Sequence, residues 1–323
     1  MTEWRTRTGR TRRAVLGATL ALPALASARL AAAQTAVPKR VTGQVVGAPG
    51  VNVRSCARTT CPVRTVVKLG EELTVTGERV DNYFPVEKGN VVGFAFDLYV
   101  MTPDHVPELV QGQQGCKRVG LIFNLGVGYP MQLGPLKALQ AKGIAASVFP
   151  MGWWAKVPEN AAALKQIDQM GFLIGSHGND RKELTGLSDD AVRADIATAA
   201  EVITSVIGKP PQPFMTPYAA ASDDRVLGLI GKAGFLPVGF RVPAADWDFD
   251  ADPNEIFMKV VPNVTDGDLI EFHLDAPATP QATAVALPWV VDRLLEKGYT
   301  FVTVADMAQP CAPAGAPPAT PAA

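Results

Sequence analysis

Residues 117–126 read KRVGLIFNLG, and residues 267–274 read GDLIEFHL. Each is a short, nearly continuous apolar run ending in polar groups, the pattern of a strand buried on both faces. Similar runs recur at 145–152 (AASVFPMG), 172–178 (FLIGSHG) and 300–304 (TFVTV), with stretches of helical period between them. Strands separated by helices must run parallel, so the segment 117–308 is expected to form an α/β domain. The clearest helix begins at Ser188, which can cap it, with Asp189 and Asp190 in the first turn. Val192, Ile196, Ala199, Ile203 and Val206 make one apolar stripe along it, and Gly208 ends it.

Outward from this segment the composition changes. Residues 41–100 show short runs of β-branched and aromatic residues broken by Gly, Asn and Asp, without helical period, and read as a small all-β domain. Residues 101–116 read as a linker, and the tail APAGAPPATPAA at 312–323 is too poor in large apolar side chains to bury a core, so disorder is expected there. At the other end, arginines 5, 7, 10, 12 and 13 precede AVLGATLALPALASA and then LAAAQ: a charged segment, an apolar segment and small residues at a cleavage site. This predicts an export signal over 1–33, with Ala28 and Ala33 as alternative last residues removed. TRRAVLG at 11–17 resembles a twin-arginine signal, which implies export of a folded protein. The apolar run from Ala14 to Ala28 is shorter than the roughly 18 residues of a spanning helix, so no stable membrane span is expected after signal removal.

The composition, 47% hydrophobic and 19% charged, excludes disorder throughout. Six arginines and one glutamate fall within the first 33 residues, and the remainder is net acidic. Without a surplus of cations to neutralise phosphates, nucleic acid is not an expected partner. All four cysteines follow the export segment, and an even count in an exported chain favours disulfides. Three pairings are formally possible. Cys56 and Cys61 can clip a local loop, while Cys116 and Cys311 flank a segment whose ends would meet in a closed barrel, and these two pairs are expected. A structural zinc site is the competing reading, but no histidine is near Cys56 or Cys61 in sequence.

GVNVRSC at 50–56, VVKLGEELTV at 66–75 and GFAFDLYV at 93–100 resemble, in order, the strands of the bacterial SH3 domain. The resemblance implies a small β-barrel of the kind that binds cell-wall peptides. Tyr83, Phe84, Phe94, Phe96 and Tyr99 are candidates for a ligand groove or for its core. Within the α/β segment, IFNLG at 122–126, GSHGNDRKEL at 175–184, FMTPYA at 214–219, ADW at 245–247 and IEFHLD at 270–275 resemble the five motifs of the polysaccharide deacetylase family, of the nodulation-factor-deacetylase type. The closing stretch LPWVVDRLLEKGYTFVTVADM at 287–307 fits as well. The resemblance implies a distorted (β/α) barrel with its functional groups at the C-terminal strand ends. It also implies a divalent metal such as zinc, used to remove acetyl groups from amino sugars.

The side chains which that chemistry needs are largely replaced. The resemblance places a general base and a metal-ligating aspartate where this chain has Asn124 and Leu125. A carboxamide is too weak a base to take a proton from water, and an isobutyl group has no lone pair to give a metal. Of two ligand histidines four residues apart, His177 stands at the first position and Arg181 at the second. Met215 replaces the arginine that steadies the base, and Pro243 replaces a supporting aspartate. His273 keeps the family's acid position, and His177, Trp247 and the backbone around Tyr218, which in the family helps form an oxyanion hole, also survive; a lone histidine cannot hold a catalytic metal, so no metal or other cofactor is expected. Asp180, Asp246 and Asp275 are expected near the same rim and could form a new carboxylate pair if their spacing allowed it. The expectation is an exported periplasmic, cell-wall or extracellular protein. Its pocket would bind a glycan or peptidoglycan through Trp247, Tyr218, His177 and Arg181, the arginine at the floor favouring an acidic ligand. The alternative is an active carbohydrate deacetylase with an atypical site.

Overall fold

The computed structural model describes residues 40–310; the expected export signal (1–33), the expected disordered tail (312–323) and Cys311 lie outside the described residues. Seven strands make the N-terminal part: β1 (Val41–Val45), β2 (Gly50–Arg54), β3 (Val63–Lys68), β4 (Glu72–Val75), β5 (Tyr83–Lys88), β6 (Val91–Phe96) and β7 (Val100–Met101). They pair in the order β3-β2-β6-β5-β4-β1-β7, each ladder antiparallel. Alternation does the folding work, since Val51 and Val53 on β2 and Leu73 and Val75 on β4 turn inward while their neighbours face out. Cys56 and Cys61 are bonded, with Cα atoms 5.7 Å apart, and clip the β2–β3 loop as expected. Of the five aromatics proposed for a groove, Tyr83 and Tyr99 are core and Phe84, Phe94 and Phe96 are half-buried. Phe84 lies edge-on to His105 of the following segment, 5.3 Å between ring centres.

The second part is built on β8 (Arg118–Leu125), β9 (Ser147–Pro150), β10 (Leu173–Ile174), β11 (Phe214–Met215), β12 (Leu236–Pro237), β13 (Val242–Pro243), β14 (Leu269–His273) and β15 (Thr300–Phe301). Between them run α1 (Gly134–Ala141), α2 (Gly152–Ala155), α3 (Pro158–Gln169), α4 (Asp189–Ile207), α5 (Asp224–Lys232), α6 (Pro253–Val260) and α7 (Thr283–Glu296), with α8 (Val304–Met307) after β15. The parallel order is β10-β9-β8-β14-β13, a single bridge from Ser176 to Met215 leads on to β11, and β11 pairs β12. This is the expected distorted (β/α) barrel behind an all-β domain. β8 and β14 are buried along their whole length, which is why both read as unbroken apolar runs.

Helix α4 follows its sequence pattern closely. Ser188 Oγ accepts from the Ala191 N–H, Val192, Ile196, Ala199 and Ile203 are buried, and Gly208 ends the helix at φ 76°. Cys116 is also disulfide-bonded, and the described residues leave its expected partner Cys311 out of view. The last strand does lie beside the first, with Thr300 opposite Arg118 and Phe301 opposite Val119. The contact is not a ring closure, however: β15 takes the lower part of the edge of β8 that β9 takes from Ile122 upward.

Residues 101–116, read from sequence as a linker, are fastened to the barrel. Leu109 is buried and bridges Val238, and Gln111 bridges Asp268. One apolar cluster is shared between the two parts: Val45, Val67, Tyr99 and Val100 join Leu109, Ile122, Phe149, Leu236 and Met307. The backbones also meet directly, where the Gly47 N–H donates to the Gly231 carbonyl at 3.3 Å.

Candidate functional site

The C-terminal ends of β8, β10, β11, β13 and β14 open into a cavity of about 500 Å³. It brings together the six residues expected at catalytic or binding positions: Asn124, His177, Arg181, Tyr218, Trp247 and His273 all line it, along with Leu125 and Pro243. In-register pairing explains part of this, since parallel β14 sets His273 directly beside Asn124 of β8.

One hydrogen-bonded chain crosses the floor. His177 Nδ1 lies 2.8 Å from the Thr216 carbonyl oxygen and 2.7 Å from Thr216 Oγ1, so Nδ1 carries the proton and Nε2 keeps a lone pair. Thr216 Oγ1 donates to Asn124 Oδ1 at 2.8 Å, and Asn124 Nδ2 donates to Glu271 Oε1 at 3.0 Å. His273 Nε2 faces the same Glu271 oxygen at 3.5 Å, and its Nδ1 donates to Asp246 Oδ1 at 2.9 Å. Asp246 accepts further from the His273 N–H and from Thr283 Oγ1.

The two histidines are driven in opposite directions. Burial lowers the His177 pKa to about 4, the Thr216 bond opposing and the His273 charge assisting, so this ring is neutral. Burial would lower His273 as well, but the hydrogen bond and charge of Asp246, with Glu271 and Asp275, outweigh it and raise the pKa to about 9. Burial pushes the Glu271 carboxyl up, against the His273 charge and the Asn124 bond, while Asp246 adds to the rise.

Several expectations change here. Arg181 does not sit on the floor. It is exposed at the mouth, stacks on the Trp153 ring at 4.5 Å, and donates from Nε to the Gly126 carbonyl and from Nη2 to the Val127 carbonyl at 2.7 and 2.6 Å. A guanidinium is too long for the place of an imidazole and finds loop carbonyls within reach. The three aspartates do not share one rim. Asp246 and Asp275 are wholly buried, the latter accepting from the Gly126 and Gly128 N–H groups, whereas Asp180 pairs with Lys182. Met215 is buried among Val192, Ile196 and Val226, so its neighbour Thr216 is the residue of that motif that reaches the floor.

Sequence reasoning passed over Glu271, Thr216 and Asp195. Glu271 had a legible signal, a charge inside the otherwise apolar LIEFH. So had Asp195, an acid on the apolar face of α4, which accepts from the Asn179 and Asp180 N–H groups and shapes the His177 loop. The donor set does not fit a divalent metal. Leu125 offers no donor atom, Arg181 is tied to carbonyls, and among the described residues no three His, Cys, Asp or Glu side chains converge as ligands.

Comparison with known proteins agrees with this architecture. Residues 111–238 match the family model described as polysaccharide deacetylase, and residues 49–101 match that of the bacterial SH3 domain. The peptidoglycan-N-acetylglucosamine deacetylase PgdA of Listeria monocytogenes is 26% identical over 209 residues, 65% of this chain and 42% of its own length, so the chain spans less than half of that relative. The Bc1960 peptidoglycan N-acetylglucosamine deacetylase superposes with a TM-score of 0.57 at 25% identity, covering 62% of this chain and 92% of that one. A CE4 family pseudoenzyme from Bacillus anthracis has the same fold, with a TM-score of 0.57 at 21% identity over 63% of this chain and 71% of that one. The barrel thus matches the polysaccharide deacetylase family over residues 111–238, and the segment before it in the chain matches the bacterial SH3 domain over residues 49–101.

Proposed function

We propose that this is an exported cell-envelope protein whose barrel binds a glycan or peptidoglycan without deacetylating it. The observation that carries the reading is Asn124. At the position of the family's general base stands a carboxamide whose oxygen accepts from Thr216 and whose nitrogen donates to Glu271, leaving no basic lone pair for a water. Leu125 and Arg181 add two ligand positions without ligand atoms. Trp247, 48% exposed and edge-on to His273 at 6.0 Å, offers an aromatic wall to a sugar ring. The expected export signal supports action outside the cytoplasm, as does the similarity to PgdA, a peptidoglycan-N-acetylglucosamine deacetylase. No described helix is long and apolar enough to cross a membrane.

One observation favours the alternative of an active deacetylase, namely the intact Asp246–His273 pair, which would keep a charged acid ready for a leaving amine. The two readings separate by acetate release from N-acetylated chitooligosaccharide with zinc added, measured beside calorimetry of the same ligand. Binding without acetate above background is expected. Steady turnover that depends on zinc and on His177 would overturn the proposal.

A further inference from the structure

We propose that the cavity floor recognises a free amino group, so that the site takes de-N-acetylated hexosamine units in preference to N-acetylated ones. This deepens the glycan-binding reading and rests on it. The floor directs its donors at the protein itself: Asn124 Nδ2 on Glu271, the Thr216 hydroxyl on Asn124, His177 Nδ1 on Thr216, His273 Nδ1 on Asp246, and the second nitrogen of the charged His273 ring, Nε2, toward Glu271 Oε1 at 3.5 Å. At the mouth Arg181 spends Nε and Nη2 on the Gly126 and Val127 carbonyls. What the floor has left over is acceptors. His177 Nε2 keeps its lone pair, and Glu271 brings a carboxylate to the cavity wall with one buried oxygen, Oε2, that has no hydrogen-bond partner among the described residues.

An acetamido group entering this floor would set its carbonyl oxygen, an acceptor, against lone pairs and a carboxylate, and would lose the hydrogen bonds it had in water. An ammonium has three donors, no acceptor, and a charge opposite to that of Glu271. The positive His273 ring is balanced by Asp246 behind it, so Glu271 remains the charge that a ligand meets on the floor. Arg181, the other cation lining the cavity, is held at the solvent-exposed mouth against Trp153. The polarity is the reverse of what an acetamide needs, because the His273 cation is held between Asp246 and Glu271, and the acceptors of Glu271 and His177 stand where a free donor would draw the carbonyl oxygen.

The test is calorimetry of the full chain at pH 6.5 with two probes, the tetramer of β-1,4-linked glucosamine and the tetramer of N-acetylglucosamine. The free-amine tetramer is expected to bind at least tenfold more tightly, and less so as salt is raised. Glu271→Gln should bring the two ligands within about twofold, while Trp247→Ala should weaken both. Equal or tighter binding of the acetylated tetramer by the wild-type chain would overturn the inference, whether or not the variants fold, and leave glycan binding standing. A preference that survives Glu271→Gln would also overturn it, since the selectivity would then come from another surface. Binding of neither tetramer would sink the glycan reading and this inference together.

Discussion

At the scale of single residues, Asp246 is the group on which the floor depends. It is fully buried and accepts three hydrogen bonds, two of them from His273. Asp246→Ala would leave the His273 ring buried without its charge partner, and a loss of about 3 kcal/mol in urea unfolding is expected. The same pair sets a pH dependence whose sign follows from proton uptake. His273 is raised from 6.5 to about 9, so the folded chain holds a proton that the unfolded chain has lost between those values. Its stabilisation is complete below pH 6.5 and disappears as pH rises through about 9. Urea midpoints should therefore fall from pH 6.5 to pH 9, by on the order of 2 kcal/mol in stability, and Asp246→Asn should flatten that slope. A slope unchanged in the variant would assign it to other groups.

At the scale of elements, α4 shows how local chemistry places a functional loop. Its cap, its first-turn acids and its left-handed terminus agree with one another, and Asp195 on its buried face holds the backbone of Asn179 and Asp180. Ser188→Ala should cost about 1 kcal/mol through the lost cap. Gly208→Ala should cost a similar amount for a different reason: a Cβ there meets nothing within 4 Å, so the whole effect is the strain of φ 76°. Chemical denaturation measures both, and a neutral Gly208→Ala would show that the helix end relaxes to another geometry.

At the scale of the whole molecule, the two domains unfold as one unit if the shared cluster is as continuous as its members indicate. Val46 is buried against Gly231 of α5, whose added Cβ would lie 3.2 Å from it, and the cluster around Leu109 links the barrel to β7 and β1. A single calorimetric transition is therefore expected for the native chain. Val46→Asp, which places a charge in that contact, should lower the midpoint and separate an SH3 transition from a barrel transition. Two transitions already present in the native chain would mean that the interface contributes little.

The sequence alone showed the alternation of buried apolar runs with helical stretches, an all-β segment before it, the α4 boundaries and the types of side chain at the strand ends. Each of these is written in local periodicity or in the type of a single residue, whereas the resemblance to two families rested on motifs. Tertiary structure decided what the replacements do. Arg181 turned to loop carbonyls because its long side chain reaches them, and Thr216, not Met215, faced the floor because neighbouring strand residues point to opposite sides. Glu271 became the floor's carboxylate only because parallel pairing of β14 with β8 sets it within 3.0 Å of Asn124, 147 residues away in the chain. Distances of that kind depend on sheet register, which no local stretch of sequence records.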